Sequence, residues 1–289
     1  MAVGHKDKTV GQSYTPDLDI EFKQSRFDKE EILEHYHGTC EIAYFKKADI
    51  RIFIKDVNYE IRDGDILFID EYDIHRIIYS SHTQYERYVV NFKKEYVAGV
   101  LRALELDSLM DVLNKKENKK VNLNLKQRDE IENLLMFLAE ACKRNTGADE
   151  TIVRAEGKTL LAAAIIKYYE LMMSNGVNEK ENRKKKDTQV KDIIGFIDSG
   201  YMSEISLDLL SDKFYLSKFY ISRIFKEITG FSVMEYIQHR RVVEVRKLLA
   251  TSGKGIAEIC YECGFNSIQH FYLVFKKITG TTPHQYRKI

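Results

Sequence analysis

The segment Phe225-Lys226-Glu227-Ile228-Thr229-Gly230 returns fifty residues later as Phe275-Lys276-Lys277-Ile278-Thr279-Gly280. The same shift relates further positions on both sides of the segment: Tyr215 and Phe265, Ser217 and Ser267, Ile221 and Phe271, Ile224 and Val274, and Tyr236 and Tyr286. Internal repetition of this kind is a signature of repeated structural units, but two copies are too few for a solenoid. The repeat therefore predicts two related small helical modules.

Each copy has the pattern of a helix, a tight turn and a second helix. In the first copy, Ser206 and Ser217 precede apolar residues at helical spacing and are typical N-caps, and Gly230 is a typical helix end. The second copy repeats the plan, and a long helix over Val233 to Ala250 is expected to join the two and fix their spacing. This is the helix-turn-helix plan, in which the second helix enters the major groove of DNA.

The predicted recognition helices differ in the side chains left over after the core is assigned. These candidate DNA-binding residues are Lys218, Phe219, Ser222, Arg223 and Lys226 in the first copy, and Ser267, Ile268, Gln269, Tyr272, Leu273 and Lys276 in the second. Arg223 can donate to O6 and N7 of guanine and Gln269 can pair with adenine, each contributing about 1–3 kcal/mol of discrimination. Leu273 occupies the repeat position of Arg223 and offers only apolar contact. The first helix is therefore expected to carry the sharper sequence preference.

Taken together, many of these positions resemble the signature of the AraC/XylS transcription regulators. The resemblance covers roughly the last hundred residues and rests on Phe225-Lys226, Gly230, Tyr236-Ile237, Arg241, Leu248-Leu249, Ile256-Ala257-Glu258-Ile259, Gly264-Phe265, Ser267, Phe275-Lys276-Lys277, Gly280, Thr282-Pro283 and Tyr286-Arg287. It implies a bipartite domain that places two recognition helices in successive major grooves of a double-stranded DNA operator.

Composition gives only loose bounds. A chain of 289 residues with 44% hydrophobic side chains can bury two ordinary cores, so two or three domains are expected. The net charge of +1 does not indicate nucleic-acid binding, so affinity for DNA must come from local clusters of Lys and Arg. Met1 to Tyr14 lacks the apolar core of a signal peptide, and Leu160 to Tyr169 is too short to span a bilayer. We expect a cytoplasmic protein that does not contact membranes.

Residues 20 to 92 contain closely spaced short runs rich in Ile, Val, Phe and Tyr, separated by turn signals such as Asp63-Gly64-Asp65. This pattern predicts an antiparallel barrel or jelly roll. Placed before an AraC-type domain, it resembles the family's cupin-like sensor. The predicted fold is thus an α+β multidomain chain, with an N-terminal cupin-like β-barrel carrying dimerisation helices and a C-terminal all-α bipartite helix-turn-helix domain.

One cluster in the predicted barrel could support chemistry. His35, His37, Glu41 and His75 are similar to the metal-binding pattern of cupin enzymes, but Asp70 and Tyr72 stand where those enzymes usually carry Pro and Gly. We interpret the four residues as a polar patch that lines a pocket for a small-molecule effector, and no metal or other cofactor is expected. Strand tyrosines would suit stacking on a sugar or an aromatic effector. The alternative is a metal-dependent cupin enzyme fused to a DNA-binding domain.

After Phe92 the period changes to that of helices, predicted over Lys94 to Leu106, Lys126 to Arg144 and Glu150 to Ser174. The resemblance favours a homodimer built on one of these helices, and simple packing on the barrel is the alternative. Residues 176–188 are polar and predict a linker, which separates a sensor over 1–175 from a DNA-binding domain over 189–289. The whole predicts a transcription regulator controlled by a small-molecule effector, with contact to RNA polymerase as a further expectation. It is not expected to be an enzyme.

Overall fold

A computed structural model describes residues 8–10, 17–27, 31–33, 39–79, 83–116, 118–143, 150–174 and 185–288. Within them the backbone forms ten strands, all paired antiparallel. The strands are β1 (Lys8–Val10), β2 (Leu18–Phe27), β3 (Glu31–Leu33), β4 (Cys40–Lys47), β5 (Asp49–Ile54), β6 (Val57–Arg62), β7 (Asp65–Ile69), β8 (His75–Tyr79), β9 (Thr83–Phe92) and β10 (Lys120–Asn122).

The same residues contain eleven helices. These are α1 (Lys94–Ala103), α2 (Leu109–Lys115), α3 (Leu125–Lys143), α4 (Glu150–Ser174), α5 (Lys185–Gly200), α6 (Leu207–Phe214), α7 (Lys218–Thr229), α8 (Val233–Thr251), α9 (Ile256–Glu262), α10 (Ile268–Thr279) and α11 (Pro283–Arg287). None of the helices described is long and apolar enough to cross a membrane.

The strands form two sheets that pack face to face. The six-stranded sheet has the order β1-β2-β9-β4-β7-β10, and the four-stranded sheet has the order β3-β8-β5-β6. Successive strand residues point to opposite faces, so Ala43 and Phe45 on β4 meet Ile50 and Ile52 on β5 in one buried interior cluster. The expected all-antiparallel sensor is confirmed, with its strands divided between two facing sheets.

Helices cover the outer face of the six-stranded sheet. The alternate residues of β4, Ile42 and Tyr44, join a second buried cluster with residues of α1, α2, α3 and α4. Two tyrosine hydroxyls connect these layers, because Tyr44 donates to Glu132 Oε1 over 2.8 Å and Tyr168 on α4 donates to the Lys119 carbonyl over 2.7 Å. The helices that follow the strands therefore close one side of the sensor.

The C-terminal helices pack against the opposite side, on the outer face of the four-stranded sheet. Phe53 of β5 is fully buried there and belongs to the core of the first helix-turn-helix unit. Its ring centroid lies 6.3 Å from that of Phe231 and 6.4 Å from that of Tyr236. The four-stranded sheet therefore separates the sensor interior from the C-terminal half.

The two helix-turn-helix units have separate cores joined by α8. The first core takes Val233, Tyr236 and Ile237 from the start of α8, and the second takes Val245 and Leu249 from its end. A capping box at Ser232 begins α8, since the Ser232 hydroxyl accepts from the Glu235 N–H and the Glu235 carboxylate accepts from the Ser232 N–H. This arrangement confirms two helical modules connected by one long helix.

The structure differs from the sequence expectations at a few polar segments. Helix α5 begins at Lys185, so the last residues of the predicted linker are helical, and Lys186 in that turn lies 3.0 Å from Glu227 on α7. The segment after α1, which sequence patterns left unassigned, contains α2 and the short strand β10. Strand β10 is stabilised by its pairing with β7, and no local sequence pattern predicts this long-range contact.

A buried histidine should make folding sensitive to acid. His239 on α8 is 7% exposed, and burial, followed by the nearby charge of Arg76, lowers its pKa from 6.5 to about 3. The stabilising contribution of neutral His239 is therefore fully present well above pH 6.5 and is lost as the pH falls from 6.5 towards 3. In that range only the unfolded chain binds a proton at this histidine. We expect the free energy of unfolding to fall by about 2 kcal/mol between pH 7 and pH 5 from this residue. Urea unfolding at both pH values should show a smaller loss for His239→Leu.

Candidate nucleic-acid interface

Helix α7 is built as a recognition helix with one buried and one open side. The Ser217 hydroxyl caps it by accepting from the Tyr220 N–H over 3.2 Å. Ile221, Ile224 and Phe225 are fully buried in the first core. The predicted groove-facing residues lie on the other side: Lys218, Phe219, Arg223 and Lys226 are exposed and Ser222 is half-buried. Phe219 is 78% exposed, which is unusual for so large an apolar side chain.

Helix α10 repeats this construction. The Ser267 hydroxyl accepts from the His270 N–H over 3.3 Å and donates to Gln269 Oε1 over 3.0 Å. Of the predicted contact residues, Gln269, Leu273 and Lys276 are exposed, and Leu273 is 71% exposed. Ile268 and Tyr272 are half-buried and pack against the second core. The open face of α10 also includes His270 and Lys277, which are exposed.

The predicted contrast between the two helices is visible in their exposed side chains. Arg223 projects from α7 with its guanidinium 5.6 Å from the Tyr220 ring, so its donors lie on the open face. Lys218 forms an ion pair with Asp208 on α6. On α10 the same repeat position holds Leu273, which has no donor. His270, which sequence analysis did not single out, is also exposed beside Gln269 and lies 3.5 Å from Gln238.

The open face of α7 lies across a cleft from the four-stranded sheet. The cleft has a volume of about 690 Å³, and Arg51 and Ile78 of the sheet line one side of it. The α7 residues lining the other side are Phe219, Ser222, Arg223, Lys226 and Glu227. A recognition helix enters a groove about 12 Å wide and 8.5 Å deep, so a duplex needs free space on both flanks of the helix. The sheet occupies one of these flanks.

Arg76 holds this arrangement together at the base of the cleft. Its side chain is on the outer face of β8 and 3% exposed. Arg76 Nη1 donates to the Gly230 carbonyl at the end of α7 over 2.7 Å, and its guanidinium lies 3.6 Å from the centre of the Phe231 ring. A charged hydrogen bond and a cation–π contact in a buried setting are among the stronger single interactions across such a contact.

Charged contacts surround Arg76 at the same boundary. Lys191 on α5 lies 2.7 Å from Asp56 in the β5–β6 turn. Arg246 and Lys247 on α8 each lie 5.2 Å from the ring of Tyr72. These contacts involve α5, α7 and α8 on one side and the sheet and its turns on the other. The first helix-turn-helix unit and the C-terminal part of α8 both contact the sheet and its turns.

The internal repeat provides a direct comparison for that docking. Gly230 and Gly280 end their helices with the same left-handed φ of 75°. A Cβ atom at Gly230 would lie 2.7 Å from Arg76 Cδ, whereas one at Gly280 would have no heavy atom within 4 Å. The two glycines therefore share their backbone requirement and differ in the contact with the sensor.

The predicted effector residues fall partly within the described chain. His35 and His37 lie outside the described residues. Glu41 is 5% exposed and stands opposite Ile69, the last residue of β7, while His75 is 6% exposed and begins β8. Both therefore lie at the end of the sandwich where β7 leads into β8. By strand alternation Glu41 shares the interior face with Ala43 and Phe45.

Ionised groups collect at this end of the sandwich. The His75 Nδ1 lies 2.9 Å from the Asp73 carbonyl, and Asp70 pairs with Lys94 over 2.9 Å. Asp73 pairs with Lys55 over 2.8 Å and with Lys119. Across the described residues, no group of three or more His, Cys, Asp and Glu side chains is placed to hold a metal ion.

The cysteines are buried thiols. Cys40, Cys142, Cys260 and Cys263 are all free and buried. Burial raises the pKa of Cys263 to about 12 and that of Cys142 to about 11, so both are protonated at neutral pH. Cys260 and Cys263 lie in the core of the second unit.

Family models match both halves of the chain. A model described as an AraC-like ligand binding domain matches residues 17–157, and a model described as a helix-turn-helix domain matches residues 210–289. The first covers most of the two sheets and extends into α4. The second begins within α6 and includes α7 and α10.

Individual curated relatives match less than half of the chain. The transposon Tn10 TetD protein of Escherichia coli is 32% identical over 42% of this chain and 87% of its own length. The melibiose operon regulatory protein of Escherichia coli is 32% identical over 35% of this chain and 33% of its own length. The first curated relatives are matched over only 34 to 52% of their own lengths. A crystal structure of an apo variant of ToxT from Vibrio cholerae covers 96% of this chain and 99% of its own, with 15% identity and a TM-score of 0.41.

Proposed function

This chain belongs to the AraC family of transcription regulators, and from that premise we propose that it reads DNA with two recognition helices under the control of a small-molecule effector. The observation that carries the proposal is the pairing of α7 and α10. Both have a serine cap and an apolar buried side, and they differ in the side chains of the open face. Helices built alike but exposing different residues suit the reading of two different half-sites.

Helix α8 supports a fixed spacing between the two. It has 19 residues and contributes to both cores. At 1.5 Å per residue it spans about 28 Å, which is close to the 34 Å of one DNA turn. The two helices are therefore proposed to enter successive major grooves on one face of the duplex.

Selection from a pool of randomised duplex DNA tests this function. The full chain should enrich sites with two conserved blocks whose centres are about ten base pairs apart, since one helical turn separates successive major grooves on one face. Enrichment of no sequence above the starting pool, at a salt concentration that permits binding, would refute the proposal.

The sensor half is proposed to bind the effector between its two sheets, near Glu41 and His75. Glu41 and His75 are buried polar side chains at one end of the sandwich, and Arg87 is a third, buried between the rings of Phe45 and Tyr85 in the interior cluster. A few polar groups in a mainly apolar interior are typical of a small-molecule site. The melibiose operon regulatory protein is named for a sugar operon, so sugars are the first class to test. No catalytic activity is proposed.

Glu41→Ala should separate effector binding from DNA binding. Once a compound that changes DNA affinity has been found by screening, this variant should lose the response while retaining its basal DNA affinity, because α7 and α10 lie in the other half of the chain. Titrating wild type, Glu41→Ala and Glu95→Ala on labelled operator measures both quantities. Glu95 is exposed on α1, and its substitution makes the same change in charge as a control. Loss of basal DNA binding together with the response would assign Glu41 to folding instead.

We propose that the effector controls DNA binding by changing how the first helix-turn-helix unit is docked on the four-stranded sheet. With the sheet on one flank of α7, a duplex has access to that helix only after the two halves separate. A ligand shifts such an equilibrium only by its difference in affinity for the two states. The effector would therefore favour or oppose separation at the contact around Arg76.

A homodimer is proposed through the outer face of α3, where Met136 and Phe137 are 42% and 52% exposed. Two adjacent apolar side chains on a helix that already covers the sheet suit a contact with a second copy.

Contact with RNA polymerase is proposed as the step that follows operator binding.

A further inference from the structure

A small pocket at the boundary between the two halves is lined mainly by lysines. It has a volume of about 230 Å³ and lies beside the β5–β6 turn, the end of α2 and the start of α5. Its lysines are Lys55, Lys115, Lys116, Lys119 and Lys191. The one acidic residue among its lining residues is Asp56. We call this the lysine pocket.

In the described residues, only some of these cations are paired with a carboxylate. Asp73 lies behind the pocket and has one oxygen on Lys55 at 2.8 Å and the other on Lys119. Asp56 is engaged by Lys191 at 2.7 Å. Among the described residues, Lys115 and Lys116 form no ion pair and are exposed at the edge of the pocket. Within the described part of the chain, the ion pairs of these five lysines involve the two carboxylates of Asp73 and Asp56.

One of these cations is held in a costly position. The side chain of Lys119 is only 4% exposed, and burial, its largest influence, lowers the pKa of the ammonium. Burying a charge is unfavourable unless it is paired, and Asp73 is the partner of Lys119. Lys55, Lys115, Lys116 and Lys191 add positive charge around this pair, so a bound anion would be stabilised here.

Lys55 lines this pocket with its backbone in a left-handed conformation that is unfavourable for a residue with a side chain. Lys55 has a φ of 56°, the left-handed region that glycine and asparagine usually occupy in two-residue hairpin turns. Its N–H donates to the Ile74 carbonyl over 2.8 Å and its Nζ donates to Asn114 Oδ1 over 3.1 Å. Strained backbone of this kind is concentrated at functional sites. The turn holds an ammonium group over the pocket where glycine would relieve the strain.

We propose that the lysine pocket binds a small molecule bearing a phosphate group. Several ammonium groups around a small polar cavity suit a dianion with three or more acceptor oxygens, since Lys binds phosphate as a point charge. The cavity has room for a phosphate and a few further atoms. It shares Lys55, Asp56, Asn114 and Lys191 with an adjoining cleft of about 400 Å³, which can accept the organic part.

Neither Glu41 nor His75 lines the lysine pocket, so the site goes beyond the proposed function. The pocket adjoins the interior, because Ile54 and Tyr59 line it and belong to the interior cluster. Lys191 comes from α5, so a molecule bound here touches both halves of the chain. Binding can be measured without DNA, which keeps its outcome separate from that of the DNA-reading proposal.

The test uses glycerol 3-phosphate as the probe and glycerol as its uncharged match. Phosphorus NMR titrations of the full chain at constant ionic strength should show saturable binding of glycerol 3-phosphate, and calorimetry should show none for glycerol. Lys115→Met with Lys116→Met should weaken binding about tenfold, since each lost charged hydrogen bond contributes to affinity. Both residues are exposed and form no ion pair with any described residue, so this variant should fold.

A second pair of lysines provides the control. Lys126→Met with Lys143→Met, on the exposed side of α3, makes the same change in net charge away from the pocket and should leave affinity unchanged. Lys119→Met should abolish binding. The proposal is overturned if wild type shows no saturable binding, or if the pocket variant and the α3 variant bind glycerol 3-phosphate equally.

Discussion

Gly230→Ala should raise the affinity of the full chain for its operator by about thirtyfold or more, whereas Gly280→Ala should not. The new Cβ at Gly230 would lie 2.7 Å from Arg76 Cδ and displace the side chain that holds α7 beside the sheet. The interactions at risk are a charged hydrogen bond and a cation–π contact, together about 2–4 kcal/mol. Because each 1.4 kcal/mol is a factor of ten, weakening them should release α7 for DNA.

The internal repeat controls for the strain of the substitution itself. Gly230 and Gly280 have the same φ of 75°, so alanine meets a similar backbone cost at both positions. Fluorescence anisotropy on labelled operator measures the two variants beside wild type, and Arg76→Ala should reproduce the effect of Gly230→Ala. Equal or lower affinity of Gly230→Ala relative to Gly280→Ala would show that docking does not restrict α7.

Arg223→Ala should abolish the preference of the chain for one guanine in its operator. The loss should be about 1–3 kcal/mol at that base pair, the value of a bidentate arginine–guanine contact. Leu273→Ala, at the same repeat position of α10, should change specificity little, because an apolar side chain distinguishes bases only through a thymine methyl. Lys226→Ala should weaken binding to all sequences alike, as a phosphate contact does.

Selection of each variant against a randomised operator measures these differences position by position. The informative comparison is between Arg223→Ala and Leu273→Ala, since both residues are exposed and occupy equivalent positions of α7 and α10. Greater relaxation of specificity in Leu273→Ala would reverse the roles assigned to the two recognition helices.

Local patterns predicted much of the C-terminal half because its signals are short-range. Serine caps, apolar residues at helical spacing and closing glycines each determine structure within a few residues, so Ser217, Ser267, Gly230 and Gly280 stand where the sequence places them. Glu150–Ser174 was likewise predicted with its observed bounds. The short apolar runs predicted an antiparallel β-structure in the N-terminal half. They did not predict its division into two sheets, because that division depends on pairings between distant segments.

The docking contact could not be predicted in the same way. Arg76 and Gly230 are 154 residues apart, and no periodic pattern connects them. One signal was present: Phe53 alternates with Ile52 and Ile54, so an apolar ring was directed to the outer face of β5. The lysine pocket could not be predicted either, because Lys55, Lys119 and Lys191 are far apart in the sequence and no periodic pattern connects them. Ile268 and Tyr272 were assigned to the groove, yet their packing on the second core is tertiary.

Hydroxyl-radical footprinting of the full chain on a selected operator tests the central claim, that α7 and α10 read successive major grooves. The account predicts two protected segments on one face of the duplex, about ten base pairs apart. Arg223→Ala should weaken protection of one segment, and Gln269→Ala should weaken that of the other. Protection of a single segment, with both substitutions acting on it, would contradict the account.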